Sequence, residues 1–388
     1  MKIAIPKIDR SARIVMPSFM NAALAVAKVR YYAERLSFSH RWSTQQKDQL
    51  YLKCWTEAAK EVEASIEAGH RNLLRITKGN ATTVVWRNYT DLDGPATLRA
   101  VGDKRYVQRA LAREQIPTPS SFTFQLSDLS EASRFLAEHG TCVVKPLSGT
   151  GGGSGITTRI CSQRELRIAS KKASGYCRDL QIEQYIEGCN FRLLFLDGVL
   201  IDAVERQPPS VTGDGYSRLS RLVLNENRSR KKQGFQHAQE LLDIDEDMAA
   251  TLKSKRLTLR SVIPAGESVS VKTVINQNAA SENRSALAEL SPHIVQTARQ
   301  AVQCLNVRLA GVDVLTPDPT QDLQAVGGVV LEVNTTPGFY CHQHLGSQGV
   351  AVPILKACLS DASRRLRDMG ERSPDASDHF VEGLSHVD

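Results

Sequence analysis

The stretch VVLEVNTTPGF, residues 329–339, is the most informative segment of this sequence. Its Val and Leu residues before a Pro-Gly turn predict a β-strand, in which Glu332 and Asn334 project from the same face. A second apolar segment, LAGVDVLTP at 309–317, predicts another strand, which carries Asp313. Two carboxylates and an amide oxygen form the donor set that Mg²⁺ prefers, with Mn²⁺ as an alternative. The two segments therefore predict a metal site. Taken alone, Glu332 and Asn334 fit an ordinary polar strand end better than a metal site.

The composition is that of an ordinary globular protein, with 41% hydrophobic and 23% charged residues in a chain of 388. This length predicts two or three lobes rather than one. No apolar run is long enough to cross a membrane, and charged residues interrupt the N-terminal segment, so we expect neither a membrane contact nor a signal peptide. Eight scattered cysteines without a C-x-x-C pair argue against a zinc knuckle or disulfide framework and favour the cytoplasm.

The net charge of +7 indicates an affinity for anions. The tight basic cluster RSRKK, at 228–232, is typical of a solvated loop. Aromatic residues make up 6% of the chain and do not alternate with basic ones, so we expect no nucleic-acid partner.

A glycine-rich loop, SGTGGGSG at 148–155, lies between two predicted strands. Glycine lets consecutive backbone N–H groups point at one anion, so the loop predicts a phosphate nest. A flexible hairpin is the alternative. The candidate phosphate-binding residues of the loop are Ser148, Gly149, Gly151, Gly152 and Gly153.

Several polar residues outside this loop are further candidates for a nucleotide site. Lys145 lies in the apolar strand before the loop, where an ammonium needs an anionic partner or must extend to solvent. Lys104, in GDKRY, is a second lysine candidate, although its helical position also fits the surface. In IEQYIEG, at 182–188, Glu183 can accept a hydrogen bond from an adenine amino group beside Tyr185 and Ile186.

Basic residues on later strands are candidates for the catalytic set. Arg192 and Arg206 fall on two strands that a tight Asp197-Gly198 turn is predicted to join, and they can stabilise phosphate oxygens. Lys272, in a further predicted strand, completes this set.

The order of these motifs resembles the ATP-grasp superfamily, and in particular the ATP-grasp domain of the cyanophycin synthetase family, over residues 94–345. The resemblance implies ATP and Mg²⁺ as cofactors, with Lys104 and Lys145 at the phosphates. It places Glu183 and Ile186 at the adenine, and Arg206 at an acyl phosphate. It implies that the metal ligands are Asp313, Glu332 and Asn334. Asn190 stands where the family often has an acid that contacts the ribose.

The sequence differs from that family at positions that are expected to recognise the substrate. The glycine loop lacks a histidine, NQNAASEN at 276–283 replaces the family's N-L-S-T-G-G loop, and Tyr340 replaces an arginine. Two histidines beyond the Pro-Gly turn, His342 and His344, are either a structural pair or helpers in deprotonating an amine.

The predicted fold class is α/β (α+β): an ATP-grasp fold whose two α/β lobes sandwich ATP, preceded by a small N-terminal domain. We expect an N-terminal domain at 1–93, a small lobe with the glycine loop at 94–180, a catalytic lobe at 181–350, and a C-terminal helix and polar tail at 351–388. In the N-terminal domain, the apolar spacing predicts a helix from Ser43 to Gly69.

The predicted function is an ATP-dependent carboxylate–amine ligase that forms an amide through an acyl phosphate. Its expected partners are small carboxylate and amine substrates, namely amino acids or peptides, and a homo-oligomer is left open. The alternatives are an ATP-grasp phosphotransferase acting on a small metabolite and a non-catalytic anion or nucleic-acid binder, which the net charge of +7 suggests.

Overall fold

The computed structural model describes residues 38–148, 155–343 and 349–370, which fall into two compact units. One unit is Phe122–Ile182, and the other combines residues 38–121 with the described residues from 183 onward. The helices are α1 Phe38–Glu61, α2 Pro95–Val101, α3 Lys104–Arg113, α4 Leu129–His139, α5 Gln163–Ala173, α6 Leu219–Gln233, α7 Glu246–Ser254, α8 Pro292–Cys304, α9 Leu323–Val326, α10 Tyr340–Gln343 and α11 Ala351–Gly370. The strands are β1 Ser65–Ala68, β2 Leu73–Lys78, β3 Ala81–Trp86, β4 Ser121–Phe124, β5 Cys142–Pro146, β6 Thr157–Ile160, β7 Leu180–Gln184, β8 Cys189–Leu196, β9 Val199–Arg206, β10 Ser210–Thr212, β11 Ser268–Ser270, β12 Asn283–Ser285, β13 Leu309–Thr316 and β14 Val329–Thr335.

A five-stranded antiparallel sheet forms the centre of the larger unit, in the order β12-β9-β8-β13-β14. Strands β8 and β9 form a hairpin whose turn residues, Asp197 and Gly198, both have positive φ, at 50° and 75°. These are the angles that a two-residue turn needs to match the twist of the strands, so the Asp-Gly signal in the sequence predicted this turn correctly.

One face of this sheet is apolar. Alternate residues of the central strands, including Phe191, Leu193 and Val312, pack against α8 and α3 in a core of fully buried side chains. The α8 positions Ile294, Ala298, Ala301 and Val302 supply the other side of this core, with the spacing of an amphipathic helix. Because side chains alternate along a strand, the remaining residues of each strand project from the opposite face of the sheet.

A second core joins the N-terminal elements to the same sheet. Helices α1 and α11 pack with the antiparallel sheet β1-β2-β3, and this cluster includes Leu194 and Leu309 of the central sheet. Trp55 of α1 is completely buried there and meets Phe339 edge to face, with ring centroids 5.6 Å apart. The segment just after the Pro-Gly turn is therefore anchored to α1.

The smaller unit has its own core. Strands β4, β7, β5 and β6 form a sheet in that order, and residues from α4 and α5, such as Leu136 and Leu166, pack on it. Every residue of β5, Cys142–Pro146, is buried, and this includes Lys145.

The predicted helix from Ser43 to Gly69 is wrong at both ends. Helix α1 begins at Phe38 and ends at Glu61, and residues 65–68 form β1 instead. Glu63 has φ of 55°, a left-handed conformation that a helix cannot continue. The predicted domain boundaries stay a prediction, and the residues at 1–37, 344–348 and 371–388, which include His344, lie outside the described ranges. Among the described residues, we find no helix long and apolar enough to cross a membrane.

Candidate active site

The candidate metal residues lie together on the face of the central sheet opposite the apolar one. We call this the polar face; it carries Arg192, Arg206, Asp313, Glu332 and Asn334. Asp313 of β13 is the direct cross-strand partner of Glu332 of β14, and Asn334 stands opposite Gly311. Directly opposed residues of antiparallel strands point to the same side, so the three side chains share one face. Two like charges in opposed positions destabilise a sheet, and this face therefore needs cations.

Two arginines on the neighbouring strands supply positive charge at this face. Arg192 of β8 is the cross-strand partner of Asp313 and donates to both of its carboxylate oxygens, at 2.6 Å each. Arg206 of β9 lies 3.1 Å from one of the same oxygens. Arg206 also donates twice to the amide oxygen of Asn190, at 2.9 and 2.6 Å. Asn190, Arg192, Arg206 and Asp313 thus form one continuous network.

Burial and charge oppose each other in this network. Burial raises the pKa of Asp313, but the nearby charges of Arg192 and Arg206 outweigh it and hold that pKa below its ordinary value. Burial lowers the pKa of Arg192, yet Asp313 raises it further, so its net direction is upward. For Arg206, burial and the charge of Arg192 together lower the pKa. Both guanidinium groups remain cationic, because the ordinary pKa of arginine lies far above neutral pH.

The residues present fit a divalent metal of the Mg²⁺ type. Asp313 and Glu332 contribute carboxylate oxygens and Asn334 an amide, and the Nδ2 atom of Asn334 is buried without a hydrogen-bond partner among the described residues. An orphaned amide of this kind is free to turn its oxygen toward a cation. Within the described ranges, no three His, Cys, Asp or Glu side chains cluster for a metal, so the set depends on the asparagine and on substrate oxygens.

The Pro-Gly turn after β14 packs directly against the polar face. A side chain at Gly311 would come within 2.8 Å of Pro337, so only glycine permits this close approach. The buried Tyr51 hydroxyl of α1 accepts a hydrogen bond from the Phe339 backbone N–H at 3.1 Å. The hydroxyl of Tyr340 donates to the carbonyl of His237 at 2.8 Å. The turn is thus fixed from several sides.

Replacing Tyr51 with phenylalanine is expected to lower the free energy of unfolding by about 1–3 kcal/mol, because the buried Phe339 N–H loses its acceptor. Urea denaturation measures this change. Tyr216, which is 79% exposed, is the matched control, and its phenylalanine variant should differ by less than about 0.5 kcal/mol. Equal stability of the two variants would show that the Tyr51 hydroxyl does not support the turn.

The predicted nucleotide residues are distributed over both units. Lys145 is buried in β5, and Ser148 is exposed just after that strand. Gly149, Gly151, Gly152 and Gly153 lie outside the described residues. In the larger unit, Lys104 is the first residue of α3, whose N-cap is Asp103.

The predicted adenine segment, residues 182–188, spans the end of β7. Glu183 is buried within β7, whereas Tyr185 and Ile186 are half-buried in the extended chain beyond it. Asn190, the residue at the predicted ribose position, is held by Arg206. The assignment of these residues to a nucleotide stays a prediction.

Lys272 has a different setting from the two arginines. It lies two residues beyond β11 rather than within a strand, and its ammonium forms an ion pair with Asp245 at 2.7 Å. Asp245 is also the N-cap of α7, which places Lys272 in the module of α6, α7, β10 and β11. Its place in the catalytic set stays a prediction.

Asp202 is a residue of the polar face that sequence reasoning missed. It lies four positions before Arg206 on β9, so the two project from the same side of the strand. Its Oδ2 atom is 2.6 Å from the Nδ1 atom of His342. The sequence signal that could have revealed Asp202 is an aspartate inside the apolar run VLIDAV, four residues before Arg206.

Comparison with known proteins places this site in context. No family model matches the chain. Cyanophycin synthetase of Geminocystis herdmanii is 31% identical over 268 residues, which are 67% of this chain and 30% of that protein. Cyanophycin synthetase of Trichormus variabilis is 28% identical over 305 residues, covering 78% of this chain and 34% of the relative. The chain thus spans about a third of the length of these relatives.

A solved structure agrees with these likenesses. The bifunctional glutathione synthetase from Pasteurella multocida aligns over 78% of this chain and 44% of its own, with 19% identity and a TM-score of 0.51. The chain has the ATP-grasp fold. The predicted ATP-grasp resemblance to cyanophycin synthetase and the predicted α/β fold class are confirmed. The candidate metal residues lie on β13 and β14, and the two arginines lie on the neighbouring strands β8 and β9.

Proposed function

We propose that this protein is an ATP-dependent carboxylate–amine ligase that joins amino acids or peptides through an acyl phosphate. The observation that carries the proposal is the network on the polar face, where two arginines and three oxygen ligands surround one patch of the sheet. Phosphoryl transfer followed by acyl transfer needs charge neutralisation and positioning more than a protein nucleophile. The polar face supplies both.

Each group of the site has a role in this reaction. Asp313, Glu332 and Asn334 would hold Mg²⁺, which neutralises the phosphate oxygens when bound. Arg206 and Arg192 lie beside them, so their guanidinium groups stabilise the negative charge that develops on the acyl phosphate and on the tetrahedral intermediate. Lys104, Lys145 and the glycine loop bind the phosphates of ATP, and Glu183 with Ile186 binds the adenine. Lys272 completes the proposed cationic set.

Two further observations bear on the substrate class and on the compartment. Cyanophycin synthetase and glutathione synthetase are named for products built from amino acids, which favours amino acid or peptide substrates here. All eight cysteines are free, which suits the reducing cytoplasm.

The test is phosphate release from Mg²⁺-ATP in the presence of pooled amino acids and dipeptides, with mass spectrometry of the products. We expect ADP, phosphate and a new amide mass. A phosphorylated product without an amide would instead establish the phosphotransferase alternative. No ADP from any pool, with the protein shown to be folded, would contradict the ligase proposal.

A further inference from the structure

The basic cluster RSRKK, at 228–232, is not the solvated loop that its composition predicted. It forms the end of α6, and its middle residue, Arg230, is completely buried. Arg228 of the same cluster is exposed. A guanidinium carries five N–H donors, and a buried polar group is costly unless it is hydrogen-bonded. The partners of Arg230 therefore indicate why it is buried.

Arg230 joins three segments of the chain. Its Nε atom donates to Oε1 of Glu226 on the same helix, at 2.7 Å. Its Nη1 atom donates to two backbone carbonyls, that of Glu240 at 2.8 Å and that of Gln277 at 2.7 Å. Its Nη2 atom is buried and has no hydrogen-bond partner among the described residues. One planar group thus connects α6 to the segment NQNAASEN at 276–283, which we call the 276–283 loop.

His237 connects the same parts of the chain a second time. Its Nε2 atom is 3.0 Å from the Glu226 oxygen that Arg230 also contacts. Its backbone carbonyl accepts hydrogen bonds from the Ala280 N–H and from the Tyr340 hydroxyl, at 2.8 Å each. The 276–283 loop is therefore held at both its beginning and its middle.

The end of this loop lies beside the arginine that is proposed to act at the acyl phosphate. Asn283 is the direct cross-strand partner of Arg206, so the two side chains project from the polar face together. The Asn283 amide turns back into the loop, where it donates to the Ala279 carbonyl and accepts from Asn278, at 2.9 Å each. The 276–283 loop therefore borders the polar face next to Arg206.

Stability alone does not account for a buried arginine at this place. Apolar side chains of similar volume often replace a buried ion pair without loss of stability, and one nitrogen of Arg230 is unpaired. A planar guanidinium instead supplies direction, because its N–H groups have a fixed geometry. The three hydrogen bonds of Arg230 therefore determine where the 276–283 loop lies.

On the basis of the proposed ligase function, we propose that Arg230 is a positioning residue that holds the 276–283 loop as a fixed boundary of the substrate site beside Arg206. In that function, Arg206 stabilises the acyl phosphate, so the adjacent loop contacts the acyl group of the carboxylate substrate. A loop that is already ordered binds this group without a further loss of conformational entropy. Loosening the loop therefore weakens substrate binding more than it slows the chemical step.

The test compares Arg230→Lys and Arg230→Met with Arg228→Met. Lysine keeps the charge but lacks the planar set of donors, and methionine removes both. In a dilution series of the pooled amino acids and dipeptides with saturating Mg²⁺-ATP, we expect the half-saturating pool concentration to rise about 10-fold in both Arg230 variants. The maximal rate should stay within about threefold of the wild type, and half-saturation by ATP should not change. Arg228→Met should match the wild type throughout.

Hydrogen exchange measures the loop directly and needs no enzymatic activity. In the Arg230 variants, the backbone amides of the 276–283 loop should exchange at least about 10-fold faster, whereas those of β8 and β9 keep their rates. A merely structural role would accelerate exchange in both regions together. Tyr340→Phe removes the hydrogen bond to the His237 carbonyl and should accelerate the same loop to a smaller extent, which keeps the test open if the Arg230 variants do not fold.

Each contrary outcome removes a different part of the inference. Unchanged exchange in the 276–283 loop would show that Arg230 does not hold it. Faster exchange in the loop with an unchanged half-saturating concentration would show that the loop does not bind the substrate. If the wild type produced no ADP from any pool, the ligase proposal and the substrate role of the loop would fail together, and faster exchange would then keep only the hold of Arg230 on the loop.

Discussion

Replacement of Glu332 by alanine is expected to reduce ATP turnover by about 10³-fold, because charge stabilisation by a bound metal contributes several kcal/mol to the transition state. Glu332 is half-buried on β14 and stands opposite Asp313, so its removal takes away a metal ligand and also relieves the repulsion between two opposed carboxylates. The fold should therefore survive. Phosphate release measures the first effect, and urea denaturation measures the second.

Thr335 of the same strand provides the control for this variant. Its side chain is three residues from Glu332 and so projects from the opposite face. Thr335→Ala should retain ATP turnover at close to the wild-type rate. If Glu332→Ala kept turnover, the metal assignment would be wrong. If it unfolded the chain, the loss of turnover would carry no information about metal.

Local signals in the sequence were sufficient for the strands and the hairpin that build the site. The Val- and Leu-rich segments around Glu332 and Asp313 predicted β14 and β13, and the Asp197-Gly198 pair predicted the turn between β8 and β9. The strand assignment also placed Glu332 and Asn334 on one face, because side chains in a strand alternate with a period of two.

The partners of those residues could not be predicted in the same way. The pairing of Arg192 with Asp313 depends on the register of β8 against β13, which is set across 121 residues of sequence. The contact between Asp202 and His342 spans 140 residues. The false extension of α1 has a related cause: Val62 and Ile66 have helical spacing, yet residues 65–68 pair with β2. Pairing between strands overrode the local pattern.

Replacement of Asp313 by alanine is expected to lower the free energy of unfolding by about 3–5 kcal/mol, in contrast to Glu332. Asp313 is buried and is the shared acceptor of Arg192 and Arg206. Its removal leaves the two guanidinium groups, which are 16% and 15% exposed, without their shared acceptor, and they repel each other. Urea denaturation of the variant measures the effect. A double variant, Arg192→Met with Asp313→Leu, should regain much of the loss, because it removes one cation of the pair along with the carboxylate.

The pH dependence of stability provides an independent check on the same network. The folded-state pKa of Asp313 is below its ordinary value, so its contribution to stability is fully present above about pH 4, near the unfolded-state pKa. That contribution is lost as the pH falls from there through the folded-state pKa, where the carboxylate becomes protonated. The wild type should therefore lose stability more steeply below about pH 4 than Asp313→Ala does. Parallel acid-unfolding curves for the two proteins, or a loss of less than about 1 kcal/mol at neutral pH, would show that the arginines are balanced by other charges.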